Sequence, residues 1–126
     1  MSKSEHVTTA RHFAIFKAEC KRLLKLWGVN DWDVTFAHEG LSYARAQCRF
    51  SLITRVATIS LGRVWSGDGN KAYEPAFSMI KDCARHECAH LLLAPLHGLT
   101  GARYVTEDEE KCAVESVCRH LQGLLP

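Results

Sequence analysis

The sequence predicts an α+β domain made of an N-terminal helix, a three-stranded, mostly antiparallel sheet, a buried helix and a C-terminal helix. Two observations predict this class. Apolar residues recur every three or four positions near both ends of the chain, and they alternate with polar residues in its middle part. Residues 1–126 are expected to form a single domain, because a chain of this length supports one hydrophobic core.

The first helix is predicted from about Thr8 to Trp27. Gly28 follows it, at the position where a left-handed residue commonly ends a helix. The lysines and arginines on its other face are expected to be solvated surface. Its apolar stripe consists of Phe13, Phe16, Cys20, Leu23, Leu24 and Trp27.

Three segments in the middle of the chain show the alternation that is typical of strands. They cover residues 32–36, 43–50 and 56–61, and each places its apolar side chains on one face. A sheet with one buried face and one wet face is usually antiparallel, so we expect mostly antiparallel pairing.

Two further helices are predicted after a polar loop. One runs from about Pro75 to Ala94 and is apolar almost all round near its end, which indicates burial. The other begins near Thr106, where Glu109 would complete a capping box.

Composition excludes several classes of protein. A hydrophobic fraction of 47% excludes general disorder, and the net charge of +2 gives no strong reason to expect a nucleic acid or an acidic membrane as partner. No apolar run reaches the roughly 18 residues that span a bilayer. The six cysteines form no CxxC pair and the N-terminus is polar, so we expect free, buried thiols in a reducing cytoplasm.

The buried helix carries an HExxH motif, which runs from His86 to His90. Residues four apart on a helix lie on one face, so both imidazoles can reach a single metal ion. Glu87 lies about 60° from His90 around the helix axis, where it could contact a water without binding the ion. Two histidines and an adjacent carboxylate are what a zinc hydrolase requires. Buried polar groups in an apolar helix also destabilise the fold unless they have partners, and a metal ion would be such a partner.

A catalytic zinc site needs a third protein ligand, and the sequence offers two places for it. His97 is one, but its spacing does not fit the longer motif HExxHxxGxxH, so we interpret it as a loop residue. The other is the acidic start of the last helix. There Glu110 shares a stripe with Val114, and is predicted to be the ligand, with Glu109 as the alternative.

Other acidic residues of this helix are expected to face water. Glu107 lies on its wetter side, and Glu115 aligns with Cys118 and Gln122 on a face that we interpret as surface. The acidic first turn also has a simpler explanation, because carboxylates stabilise a helix N-terminus.

With His86, Glu87, His90 and Glu110 in these roles, the chain resembles the zincin metallopeptidases of the gluzincin type. The sequence around Glu110 is similar to the glutamate helix of ImmA/IrrE-like peptidases. The three predicted strands are similar to those of SprT-like and small phage-type metallopeptidases. The resemblance implies Zn²⁺ as cofactor and a peptide or protein substrate that adds as a strand at the sheet edge.

The chain departs from these families in two respects. Several gluzincins carry an Asp or Asn four residues after the glutamate to support a ligand histidine, whereas this chain has Val114 there. The support must therefore come from elsewhere. The short chain also offers no segment for a deep specificity pocket, so an open groove is expected.

Three functions follow as hypotheses. The leading one is a zinc-dependent peptidase with Glu87 as general base, in which Tyr104 is a candidate for stabilising the oxyanion. The second is a metal-stabilised binding or regulatory module without turnover, for example a phage-encoded protein that binds a host protein. The third is an action on DNA-bound proteins, for which only Arg45 and Arg49 offer a basic patch.

Overall fold

The computed structural model describes residues 5–41, 44–66, 75–97 and 107–124. These residues form an α+β structure, which confirms the predicted class. Its elements are β1 (Glu5–Val7), α1 (Ala10–Leu26), β2 (Asp33–Glu39), β3 (Ala46–Ser51), β4 (Val56–Gly62), β5 (Val64–Ser66), α2 (Phe77–Leu92), α3 (Ala94–His97) and α4 (Glu107–Leu124).

The larger sheet has the three predicted strands, in the order β2-β4-β3. β3 and β4 are antiparallel and place Cys48 opposite Ile59. β2 and β4 are parallel, with Val34 opposite Ala57. The expectation of a mostly antiparallel sheet is therefore wrong, and the sheet is mixed. Alternation of apolar residues reports which face of a strand is buried, and it carries no information on strand direction.

A second sheet, in which β1 pairs with β5, was not predicted from the sequence. Both strands have only three residues, too few to show a period. Thr8 anchors the segment after β1, because its hydroxyl donates to the carbonyl of Gly62 at 2.7 Å. Nε2 of His38 also lies 2.7 Å from this hydroxyl.

Helix α1 begins at Ala10 and is capped by the side chain of Thr9, which accepts a hydrogen bond from the backbone of His12. It ends at Leu26, and Gly28 follows with a φ of 72°, as its predicted role at the end of the helix requires.

Helix α2 ends at Leu92, slightly before the predicted end. Pro95 lies inside the short helix α3, near its start, where a missing backbone N–H costs nothing. The predicted cap at Thr106 lies outside the described residues.

The core forms where α1 and α2 pack against each other and against the inward faces of β3 and β4. Its largest fully buried side chains include Phe16, Leu23, Ile59, Leu61 and Ile80. Helix α2 also contacts β3 on one side and α4 on another. The HExxH helix therefore lies between the sheet and the last helix. No helix in the described ranges is long and apolar enough to cross a membrane.

Candidate metal centre

The two histidines of the HExxH motif face each other from successive turns of α2. Their ring centroids are 4.9 Å apart, and the Nε2 atoms of His86 and His90 lie 3.3 Å apart. Both side chains are mostly buried. The helical spacing predicted this arrangement, because residues four apart share one helix face.

Glu115 of α4 lies against both rings. Its Oε1 is 3.2 Å from Nε2 of His86, and its Oε2 is 2.8 Å from Nε2 of His90. The interpretation of the Glu115 face as surface is therefore wrong. Cys118 on the same face is fully buried, because α4 packs on α2 through the contact of Val114 and Cys118 with Ala89.

The three side chains have the spacing of ligands around a small cation. Ligand atoms at about 2.0–2.1 Å from a tetrahedral zinc ion are about 3.3 Å from one another. The Nε2 atoms of His86 and His90 are 3.3 Å apart, and each carboxylate oxygen of Glu115 approaches one of them, Oε1 at 3.2 Å from His86 and Oε2 at 2.8 Å from His90. One ligand atom from each residue lies within 4.8 Å of the other two, so the cluster could hold a metal ion.

Glu87 lies beside this cluster and is almost completely buried, with 8% of its surface exposed. The pKa of its carboxyl is raised to about 7, chiefly by burial; His86 opposes the shift, and the nearby Glu115 adds to it. A carboxyl that titrates near neutrality can both accept and release a proton at physiological pH.

Gln122, also on α4, contacts the far side of the His86 ring. Its Oε1 lies 2.8 Å from Nδ1 of His86. The prediction that Gln122 lies on a surface face together with Glu115 is therefore wrong. The sequence did contain a signal that Gln122 lies on the same side as Glu115. The two residues are seven positions apart, which places them on one face of a helix, two turns from each other.

The other sequence-predicted candidates are not brought into this cluster by any described contact. Positions 109 and 110 belong to α4, but the side chains of Glu109 and Glu110 lie outside the described residues. The same holds for the side chain of His97 and for Tyr104 altogether. Glu110 as third ligand therefore stays a prediction, and Glu115 is the carboxylate that the structure places at the histidines.

A groove of about 470 Å³ runs between β3 and the cluster. Ala46, Gln47, Cys48 and Phe50 of β3 line one side. The other side consists of His86, Glu87, His90, Lys111 and Glu115. A second cleft of about 290 Å³ shares Ala46, His86 and Glu87 with the groove and continues past Arg45, Met79 and Asp82. β3 is an edge strand of the described sheet, and Ala46 at its start borders both cavities.

The two arginines of the suggested basic patch have local partners. Arg49 forms an ion pair with Glu39 at 3.1 Å, and the guanidinium of Arg45 lies 5.5 Å above the ring of Trp65. Both side chains therefore already interact with other residues of this protein.

Comparison of the chain with protein-family models, with curated proteins and with solved structures found no match. The resemblance to zincins accordingly depends on the HExxH motif and its sequence surroundings. What the chain can do chemically follows from the geometry of the cluster and its groove.

Proposed function

We propose that the protein is a zinc-dependent metallopeptidase in which His86, His90 and Glu115 hold the ion. The observation that supports this most is the convergence of two imidazole Nε2 atoms, 3.3 Å apart, and the carboxylate of Glu115, whose oxygens lie 3.2 Å and 2.8 Å from them. Imidazole nitrogen and carboxylate oxygen are the usual ligands of catalytic zinc. Three protein ligands would leave a fourth position open for chemistry, as in catalytic zinc sites. Glu115 replaces Glu110 in this proposal because only Glu115 has a described contact with the histidines.

Zinc at such a site would acidify water and polarise a substrate carbonyl. Glu87 would accept the proton of the attacking water on its carboxylate and later donate it to the nitrogen of the leaving amine. His86 and Glu115 would hold the ion next to this carboxyl.

A peptide is the substrate that the surroundings of the cluster favour. Arg45 and Ala46 line the smaller cleft, and four residues of β3 between Ala46 and Phe50 line the groove. The two cavities together therefore follow about 17 Å of extended chain. The outer edge of a strand offers free N–H and C=O groups, to which an extended peptide can add as a further strand. A peptide bound in this way would pass directly over His86 and Glu87, which border both cavities.

Side chains along the groove suggest how such a peptide would be oriented. Phe50 offers an apolar contact and Lys111 a positive charge on the side of His90. Met79 and Asp82 lie on the opposite side of His86. Different side chains would therefore be accepted on the two sides of the scissile bond.

A binding module without turnover is the second candidate. The possible ligands come from two helices, His86 and His90 from α2 and Glu115 from α4. An ion between them would join α4 to the rest of the fold, which is how structural metal sites stabilise small domains. Retention of zinc without hydrolysis would favour this alternative.

The cytoplasm is the location that we propose. All six cysteines are free thiols. Burial raises the pKa values of Cys20, Cys48, Cys83 and Cys118, which keeps these thiols protonated. Protonated, buried thiols are stable in a reducing compartment.

Cleavage of a broad peptide library tests the peptidase directly. The native protein and Glu87→Gln would each be loaded with zinc, and the zinc content of both would be measured first. We expect equal zinc content, hydrolysis by the native protein, and a loss of at least about 100-fold in the variant, since general acid–base catalysis contributes about 10²–10⁴-fold. Equal cleavage by both proteins, or no cleavage by either, would contradict the proposal.

A further inference from the structure

We propose that Gln122 is a positioning residue, which holds His86 in the tautomer that binds metal. This inference rests on the metal centre proposed above, and it adds the support for a ligand histidine that the sequence analysis could not locate. It assigns Gln122 no contact with the substrate or the ion.

The hydrogen bond between the two side chains determines where the proton of His86 lies. The amide oxygen of Gln122 has only lone pairs, so at 2.8 Å the Nδ1 atom of His86 must donate an N–H to it. A neutral imidazole has only one N–H. Nε2 therefore carries a lone pair, and Nε2 is the atom that points at Glu115 and His90.

Glu115 would favour the opposite tautomer. Its carboxylate lies 3.2 Å from Nε2 of His86 and could accept an N–H from that atom. Without Gln122, the His86 ring would be more stable with its proton on Nε2, where it could be donated to Glu115. This proton would then occupy the position that the ion needs. Gln122 opposes that shift, because its amide oxygen accepts a hydrogen bond only when the proton is on Nδ1. It also fixes the rotation of the ring, as partners of metal-binding histidines generally do.

The neutrality of the Gln122 amide suits its surroundings. Gln122 lines the smaller cleft together with Glu87 and Asp82. The buried Glu87 already has a raised pKa, to which Glu115 contributes. A carboxylate at position 122 would accept the hydrogen bond more strongly, but it would add negative charge next to Glu87. A glutamine orients the histidine without that charge.

Nitrogen-15 NMR of histidine-labelled, metal-free protein reads the tautomer of His86 without any need for metal or activity. The spectra would be recorded at a pH where the ring is neutral. We expect the Nδ1–H form in the native protein, a shift toward the Nε2–H form in Gln122→Met, and the Nδ1–H form again in Gln122→Glu. An Nε2–H form in the native protein, or an unchanged tautomer in Gln122→Met, would overturn the proposal.

Zinc affinity is the second measurement. Gln122→Met should weaken zinc binding by about 10–100-fold, the usual effect of losing such a partner, and Gln122→Glu should restore it. Arg119→Met is the matched control, since it places the same side chain at an exposed position on the same helix. Equal affinity in the native protein and Gln122→Met would overturn the proposal. Should Gln122→Met fail to fold, the same two measurements on Gln122→Leu, together with the tautomer of His86 in the native protein, test the proposal by the same criteria.

The two proposals fail in different ways. If the native protein binds zinc and cleaves no peptide, the peptidase is wrong, while the tautomer and the affinity of the variants still test Gln122. If the native protein binds no zinc, the metal centre and the positioning role are both overturned. If zinc binds and peptides are cleaved but Gln122→Met behaves like the native protein, only the positioning role is wrong.

Discussion

Oε2 of Glu115 lies 2.8 Å from Nε2 of His90, although the two residues belong to different helices. The contact exists because α4 packs on α2 through Ala89, Val114 and Cys118. Val114 is the residue next to Glu115, so the distance between the two helices directly determines where the carboxylate lies. Packing at Ala89 should therefore influence the cluster, even though Ala89 carries no polar group.

Ala89→Leu tests this link between packing and the cluster. Ala89 is fully buried between α2 and α4, so a larger side chain must push the helices apart or adopt a strained rotamer. We expect the free energy of unfolding to fall by about 1–3 kcal/mol, as measured by urea unfolding. Zinc affinity should also fall, because Glu115 would move away from His90.

Ala14→Leu is the control for this variant. Ala14 lies on the exposed face of α1, so the same change in the middle of a helix meets no neighbour there. The control should leave stability within about 0.5 kcal/mol of the native value and zinc affinity unchanged. If Ala89→Leu loses stability but binds zinc as tightly as the native protein, helix packing does not set the position of Glu115.

The stability of the metal-free protein should depend on pH through Glu87. Burial raises the pKa of this carboxyl from 4.5 to about 7, so the folded state binds its proton more tightly than the unfolded state. The contribution of Glu87 is therefore fully present below about pH 4.5 and is lost as the pH rises through about 7. The loss is on the order of 3 kcal/mol.

Glu87→Gln isolates this effect. Unfolding by urea in the presence of a chelator would be compared at pH 5 and pH 8 for both proteins, so that the titration of the histidines affects both alike. The native protein should lose more stability between these pH values than the variant does. The same loss in both proteins would show that the folded carboxyl titrates in its ordinary range.

The sequence predicted those parts of the structure that depend on local periodicity. Helix α2 follows from the apolar residues around Cys88, and the facing of His86 and His90 follows from their spacing of four. Residues 56–61, which became β4, were recognised by alternation. These features depend only on residues close together in the chain.

Features that depend on the pairing of distant segments were predicted wrongly or missed. The direction of β2 relative to β4 is decided by the path of the chain, which alternation does not report. The face of α4 that meets α2 was judged from its apolar stripe, and that judgement placed Glu115 and Gln122 in water. On this face Cys118 lies between two polar residues, which is typical of a helix surface. The face is buried nonetheless, because Glu115 and Gln122 have polar partners on α2.

The thiols offer an independent test of the fold. Cys112 is exposed, whereas Cys20, Cys88 and Cys118 are fully buried. Burial also raises the pKa of Cys83 to about 12, which removes the reactive thiolate. In the folded protein we expect a thiol reagent to modify Cys112 first and the other cysteines only slowly.

Mass spectrometry after a short treatment would identify the modified residue. Cys112→Ser should abolish the fast reaction, and denaturation should then make the remaining thiols reactive. Rapid modification of Cys88 or Cys20 in the folded protein would mean that the contact between α1 and α2 is not formed as described.

Zinc titration of the native chain, Glu115→Ala and Glu110→Ala tests the central claim most directly. Calorimetry would give the stoichiometry and the affinity of each protein under the same conditions. We predict one zinc ion per native chain and near-native affinity in Glu110→Ala. The affinity of Glu115→Ala should fall by more than about 100-fold, because even the loss of a residue behind a ligand costs about 10–100-fold. A native chain that binds no zinc, or a loss of affinity in Glu110→Ala with none in Glu115→Ala, would contradict the metal centre described above.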